Sequence, residues 1–199
     1  MPTIAITGGI ASGKTAFRQY LSAGWKAESF DADAAVADLV DHSEEIRQEV
    51  QSAFGATAYR ENRLDRDRMR TLIFSDPSSR KKLENILHPR VRALWRQRAA
   101  NCAKENGKLL VEIPLLYETG GEAFCDFIIS VTCSVETQMR RIGFSRGIGS
   151  DMAQKIIASQ MSLEERLSRA DQVIWNDGSD EILKEQADLT TNYLVERYG

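Results

Sequence analysis

The sequence predicts an α/β fold: a mostly parallel sheet of five strands in a three-layer arrangement, with helices on both faces. Two observations carry this prediction. Short apolar runs alternate with longer stretches of helical spacing, and no Pro/Ser linker, repeat or low-complexity tract divides the 199 residues.

Five runs read as strands: Thr3–Thr7, Glu28–Phe30 just before Asp31, Lys108–Ile113, Phe127–Thr132 and Gln172–Trp175. Helices are expected over Lys14–Ser22, Ala34–Phe54, Asp65–Phe74, Ser78–Asn106, Ser134–Ile142, Asp151–Ser159, Leu163–Ala170 and Ser179–Tyr198. Between about 34 and 106 the alternation gives way to nearly pure helix, which reads as an insertion packed on the sheet within a single domain of 1–199. In that region Arg60–Arg70 mixes five arginines with three acids and is expected to be a solvated helix laced with ion pairs. At His88-Pro89 the helix is expected to be interrupted, because proline disfavours helix in the residue before it.

Composition excludes several classes. Hydrophobic residues at 42% and charged residues at 28% describe an ordinary soluble chain. A net charge of −3 argues against a dedicated nucleic-acid binder. No apolar run approaches the roughly 18 residues that span a membrane. The opening MPTIAITGG lacks the basic start and long apolar stretch of a signal peptide, so a cytoplasmic protein without a membrane partner is expected. Cys102, Cys125 and Cys133 form no CxxC pair and are expected to be reduced. His42 has no motif around it and is expected at the surface, and the chain is expected to be a monomer or weak homo-oligomer.

The strongest motif is Gly8-Gly9-Ile10-Ala11-Ser12-Gly13-Lys14-Thr15, which fits GxxxxGK[ST] between a strand and a helix. Glycines let the backbone curl so that successive N–H groups turn inward onto phosphate oxygens. The helix that follows adds the positive end of its dipole. Gly9, Ile10, Ala11, Ser12, Gly13, Lys14, Thr15 and Ala16 are therefore the candidate ATP-binding residues, on a P-loop NTPase-type fold. Lys14 would reach the β- and γ-phosphates, and the Thr15 hydroxyl would ligate Mg²⁺. Such a loop specifies a nucleoside triphosphate without specifying the acceptor.

The acceptor side begins at Asp31-Ala32-Asp33, where residues i and i+2 of an extended chain face the same way. Asp33 is the candidate base for a substrate hydroxyl, and Asp31 can hold water on Mg²⁺. The alternative reading makes Asp33 the N-cap of the helix that follows. Arg140, Arg141 and Arg146 lie close to Gly143, Gly147 and Gly149, as suits a lid over about 138–160 that closes on a triphosphate and excludes water.

These motifs together resemble the dephospho-CoA kinase family. GGIASGKT and the DAD segment look like its opening, Leu87–Arg92 like its HPxV segment, Val111–Glu118 like its VPLLFE strand, and Ala170–Ser179 like its ADxVIxN-G segment. The resemblance implies a P-loop core, a helical CoA-binding subdomain over about 34–106, and transfer from MgATP to the ribose 3′-hydroxyl of dephospho-CoA. It implies catalytic roles for Asp33, Lys14 and Arg141. It also places Asn176 on ATP, where the lid reading puts Arg146, and Asp33, His88, Arg92, Pro114, Leu115 and Leu116 on the acceptor. Arg92 and Arg96 share a helical face that could meet its diphosphate, or they form a solvated basic face. Asn176 can equally be a turn residue, and Leu115 and Leu116 ordinary core. Glu112 stands where many members have Asp, and it can orient Mg²⁺-bound water. The chain departs from the family pattern at Ser145, where its second lid arginine would fall, and at Ile156, often Arg. Another P-loop kinase, of nucleosides, nucleotides or shikimate-like alcohols, is the rival enzyme. A nucleotide switch is the rival of another class, and the chain lacks the NKxD and DxxG segments of a GTPase.

Overall fold

The structure, a computed structural model, describes residues 2–146 and 149–199, and of Phe74, Ser145 and Arg146 the backbone only. The chain forms two compact units, Met1–Phe30 with Arg98–Gly199 and Asp31–Gln97.

The first unit is built on a sheet of β1 (Thr3–Thr7), β2 (Glu28–Asp31), β5 (Leu109–Glu112), β6 (Phe127–Thr132) and β7 (Gln172–Trp175) in the order β2-β5-β1-β6-β7. β1 pairs parallel with β5, Thr3 opposite Leu109, and with β6, Ile4 opposite Phe127; β6 pairs parallel with β7. Every residue of β1, β5 and β6 is buried. That is why they read as unbroken apolar runs, without the alternation of a half-exposed strand. Their carboxyl ends, where ligands bind in open α/β sheets, lead into Gly8, Ile113 and Cys133.

Helix α1 (Lys14–Trp25) buries Phe17, Leu21 and Trp25, a stripe at i, i+4 and i+8. Burying side chains of this size stabilises by roughly 1.5–3 kcal/mol each. It runs past the expected Ser22 because Trp25 anchors one more turn, and it stops at Lys26 in the left-handed region, whose N–H bonds Ser22 O. α9 (Asp180–Tyr198) packs Leu183, Ala187 and Leu194 into the same core as Ile4, Ile6 and Ile129. The unit is completed by α6 (Val135–Arg146), α7 (Ser150–Ala158) and α8 (Leu163–Ser168). Among the described residues no helix is long and apolar enough to cross a membrane. Cys102, Cys125 and Cys133 are free thiols.

The second unit corrects the sequence reading in three places. The helix expected over Ala34–Phe54 is two, α2 (Ala32–His42) and α3 (Glu44–Phe54). Ser43 divides them, closing the first through its N–H to Leu39 O and capping the second by accepting from Ile46 N. The expected helix over Arg60–Arg70 opens instead with a hairpin of β3 (Tyr59–Arg60) and β4 (Arg63–Leu64), and α4 (Arg66–Ser75) begins after it. Glu61 and Asn62 at its tip both have positive φ, as a type I′ turn requires. Ion pairs do lace the segment, Arg66 to Asp41 at 2.9 Å and Arg70 to Asp67 at 3.3 Å.

The third correction is at His88-Pro89, where the helix is not interrupted: α5 runs from Pro77 to Lys104 with Pro89 inside it. The proline ring removes one N–H donor, and the neighbouring Arg90 guanidinium donates to Ile86 O at 3.1 Å. Leu87, Val91 and Trp95, spaced four apart and all buried, hold the helix on both sides of the break in its hydrogen bonding. The unit has its own core of Val40, Ile46, Val50, Ala58, Met69 and Leu87. This compact unit runs from Asp31 to Gln97, against the 34–106 that the sequence suggests for its helical stretch. His42 is exposed beside Asp38, one helical turn away.

Candidate active site

The glycine-rich loop opens after β1 and turns into α1. Gly8 (φ 146°) and Gly13 (φ 95°) hold backbone that other residues rarely adopt. A Cβ would also fall 2.0 Å from Val131 O at Gly8 and 2.2 Å from Asn176 Nδ2 at Gly13. Ala11 is left-handed too (φ 57°), a strained residue of the kind that gathers at functional sites. Lys14 is buried, and its Nζ donates to Gly9 O at 2.9 Å across the mouth of the loop.

Side chains from three later segments fix the loop from behind. Gln138 and Arg141 share one face of α6 at i and i+3. Gln138 Nε2 donates to Ile10 O at 2.8 Å, and Arg141 Nη1 to Ala11 O and Ser12 O at 3.3 and 3.4 Å. From beyond α7, Gln160 Oε1 accepts from Ile10 N at 3.0 Å. Asn176, buried after β7, donates through Nδ2 to Ser12 O at 2.8 Å. Its backbone N–H bonds Thr132 O at 2.7 Å, so it is a loop support rather than a surface turn. Asn176→Ala is expected to cost about 1–2 kcal/mol of stability in the absence of nucleotide, read by denaturant unfolding. An Asn that met only the nucleotide base would leave that value unchanged.

At the α1 side of the loop, the Thr15 hydroxyl donates to Glu112 Oε1 at 2.8 Å, and Arg18 Nε pairs with Glu112 Oε2 at 2.7 Å. The hydroxyl hydrogen is turned onto Glu112, so the oxygen lone pairs face away from it and suit a hard, oxygen-seeking cation. The residues present therefore fit Mg²⁺, with Thr15 as direct ligand and Glu112 through water. Among the described residues no group of three or more His, Cys, Asp or Glu could hold a metal by itself. Pro114, half-buried after β5, accepts from Thr7 Oγ1 through its carbonyl at 3.3 Å. Leu115 is half-buried, whereas Leu116 has no exposure and belongs to the core, not to an open substrate wall.

In the second unit, Asp31 and Asp33 do not lie on one extended strand, because α2 begins at Ala32. Asp31, not Asp33, is the N-cap, accepting from Ala34 N at 3.0 Å. Asp33 sits exposed in the first turn of α2, at the rim of a groove of about 330 Å³ lined by Val36, Val40, Met69 and Leu83. His88, Arg92 and Arg96 follow at intervals of four along α5, so they share a face as the spacing requires, with His88 and Arg92 half-buried. The Arg146 side chain, expected on ATP, and the Gly147 hinge lie outside the described residues.

Sequence reasoning missed Gln138 and Gln160 as side chains that hold the loop, and Arg18 as the partner of Glu112. Arg18 and Gln138 could have been found: the first is one turn beyond Lys14, and the second one turn before Arg141. Gln160 carried no local signal.

A family model described as dephospho-CoA kinase matches residues 2–181. A dephospho-CoA kinase of Fusobacterium nucleatum is 35% identical over 178 residues, 88% of this chain and 90% of that protein. A solved Thermus thermophilus protein is 32% identical with a TM-score of 0.79, covering 97% of both chains. A dephospho-CoA kinase from Campylobacter jejuni shares the fold, with a TM-score of 0.62 at 24% identity over 100% of this chain and 97% of its own.

Proposed function

Because the chain belongs to the dephospho-CoA kinase family, we propose a division of labour among its residues in the reaction that this membership assigns. The enzyme transfers a phosphoryl group from ATP to the 3′-hydroxyl of dephospho-CoA, the last step of CoA biosynthesis. The observation that carries the division is the loop itself: positive-φ turns at Gly8, Ala11 and Gly13, buried Lys14, and a Thr15 hydroxyl already oriented by Glu112.

The backbone of 9–16 holds the triphosphate, and Lys14 neutralises charge on the β- and γ-phosphates. Asp33 accepts the proton of the 3′-hydroxyl as its oxygen bonds to the γ-phosphorus. The bond from that phosphorus to the bridging oxygen breaks, and ADP departs. Arg141 reads best as the residue that holds the Ala11 and Ser12 carbonyls and so fixes the turn of the loop. Asn176 has Nδ2 committed to Ser12, so its Oδ1 is the atom that would accept from the adenine amino group. His88 and Arg92 would meet acceptor phosphates, with Pro114 and Leu115 against its apolar parts. Mg²⁺, bound with the nucleotide at Thr15, would supply charge neutralisation on the phosphate oxygens. A cytoplasmic setting suits three free thiols.

Purified enzyme with MgATP should release ADP only when dephospho-CoA is added, with CoA as the co-product. Equal turnover with shikimate or nucleosides, or hydrolysis at the same rate without acceptor, would overturn this reading.

A further inference from the structure

Helix α8 inverts the usual order of burial. Leu163 is 37% exposed, while Arg166, on the same helix, is 7% exposed. The Arg166 guanidinium donates through Nη2 to Met161 O at 2.7 Å. It forms no ion pair among the described residues. Glu118 exerts a charge on it, yet that carboxylate accepts from Met161 N and not from the guanidinium. Burial draws the Arg166 pKa below its ordinary value.

Other half-buried or buried arginines of the molecule are accounted for differently. Arg18 meets Glu112, and Arg90 meets Glu45 and Glu49. A guanidinium sunk from water without such a partner is costly unless an anion arrives to meet it. Its position says which anion. A Cβ on Gly9 would fall 3.2 Å from Arg166 Nη1, and the Gly9 carbonyl receives Lys14 Nζ at 2.9 Å. Two cations therefore converge on one residue of the phosphate loop. Arg166 also lines a cavity of about 300 Å³ together with Gln138 and Gln160, the two side chains that grip Ile10.

We propose that Arg166 is a further catalytic residue, contacting the terminal phosphate of ATP and stabilising charge on the phosphoryl group as it is transferred. This rests on the reading of the loop as the ATP site. Arginine is suited to the task because its planar fork meets two phosphate oxygens at once and stays charged when desolvated.

The test uses Arg166→Met, which keeps length and removes charge, and Arg166→Lys, which keeps charge and removes the fork. The Met variant should unfold at the wild-type temperature or above it, since deleting an unpartnered buried charge is often neutral or stabilising. Its kcat should fall on the order of 100-fold. ATP should bind about tenfold or more weakly while ADP binding is unchanged, and Lys should recover part of both losses. Equal weakening of ATP and ADP would make Arg166 a support of the loop and overturn the proposal. So would kcat and an ATP/ADP affinity ratio that both stay within about twofold of wild type. Should the Met variant fail to fold, the ratio in the Lys variant decides between the same outcomes. Wild-type protein that bound neither nucleotide would defeat the reading of the loop itself, so the two failures stay distinct.

Discussion

Lys14→Ala yields a folded protein whose kcat is lower by about 10³-fold and which ATP no longer stabilises. Lys14 is the first residue of α1, where alanine is the best helix former, so the substitution does not disturb the helix it begins. What it removes is a buried ammonium held over the loop by Gly9 O. Loss of one preorganised donor typically costs 10²–10³ in kcat. Lys14 offers a full charge from a buried position, where an ordinary donor offers a partial one, which places it at the upper end. With ATP at 100 times its dissociation constant, the wild-type protein gains about 2.7 kcal/mol, a shift easily read in a thermal melt. Melts with and without ATP, alongside steady-state turnover, check both halves. An ATP-dependent shift of wild-type size with turnover reduced less than tenfold would show that Lys14 does not meet the phosphates.

Much of this arrangement is local and therefore legible in the sequence. β1, β6 and β7 begin and end where their apolar runs do, and β1 and β6 are buried throughout, which requires apolar residues on both faces. The phosphate loop is eight consecutive residues, with glycine at two of the three positions where φ is positive, Gly8 and Gly13. Features set by tertiary context were harder to read. Pro89 predicts a break in α5, but buried Leu87, Val91 and Trp95 outweigh one lost hydrogen bond. Glu61 gave no turn signal, since its left-handed conformation is imposed by the hairpin rather than favoured by glutamate. Ser43 followed by Glu44 and Glu45 was a readable cap, hidden in an otherwise continuous helical pattern. The loop supports are the extreme case: Gln160 meets Ile10 across 150 residues of sequence. No local pattern encodes that pairing. Arg166 escaped for a related reason, because an arginine among Glu164, Glu165 and Arg169 reads as part of a solvated face until its burial is known.

Asp33→Asn is the sharper test of the proposed chemistry, because Asp31 and not Asp33 caps α2. Asparagine at 33 therefore leaves the cap intact. Asp33 contributes a negative charge to the first turn, where interaction with the helix dipole is worth about 0.3–1 kcal/mol. A loss of that size lowers the melting temperature by a few degrees and cannot reduce turnover by orders of magnitude. General-base catalysis typically contributes 10²–10⁴-fold, and asparagine matches aspartate in shape but cannot take the proton. The expected result is therefore a kcat lower by 10²–10⁴-fold, with ATP affinity within about threefold of wild type and a small change in stability. Asp31→Asn serves as the contrast, since asparagine caps helices as well as aspartate does, so its stability should hold. A collapse of ATP affinity in Asp33→Asn would move Asp33 from the acceptor to the metal. Unchanged turnover would leave the 3′-hydroxyl without this base, and the transfer would then depend on the electrostatics of Lys14 and its neighbours alone.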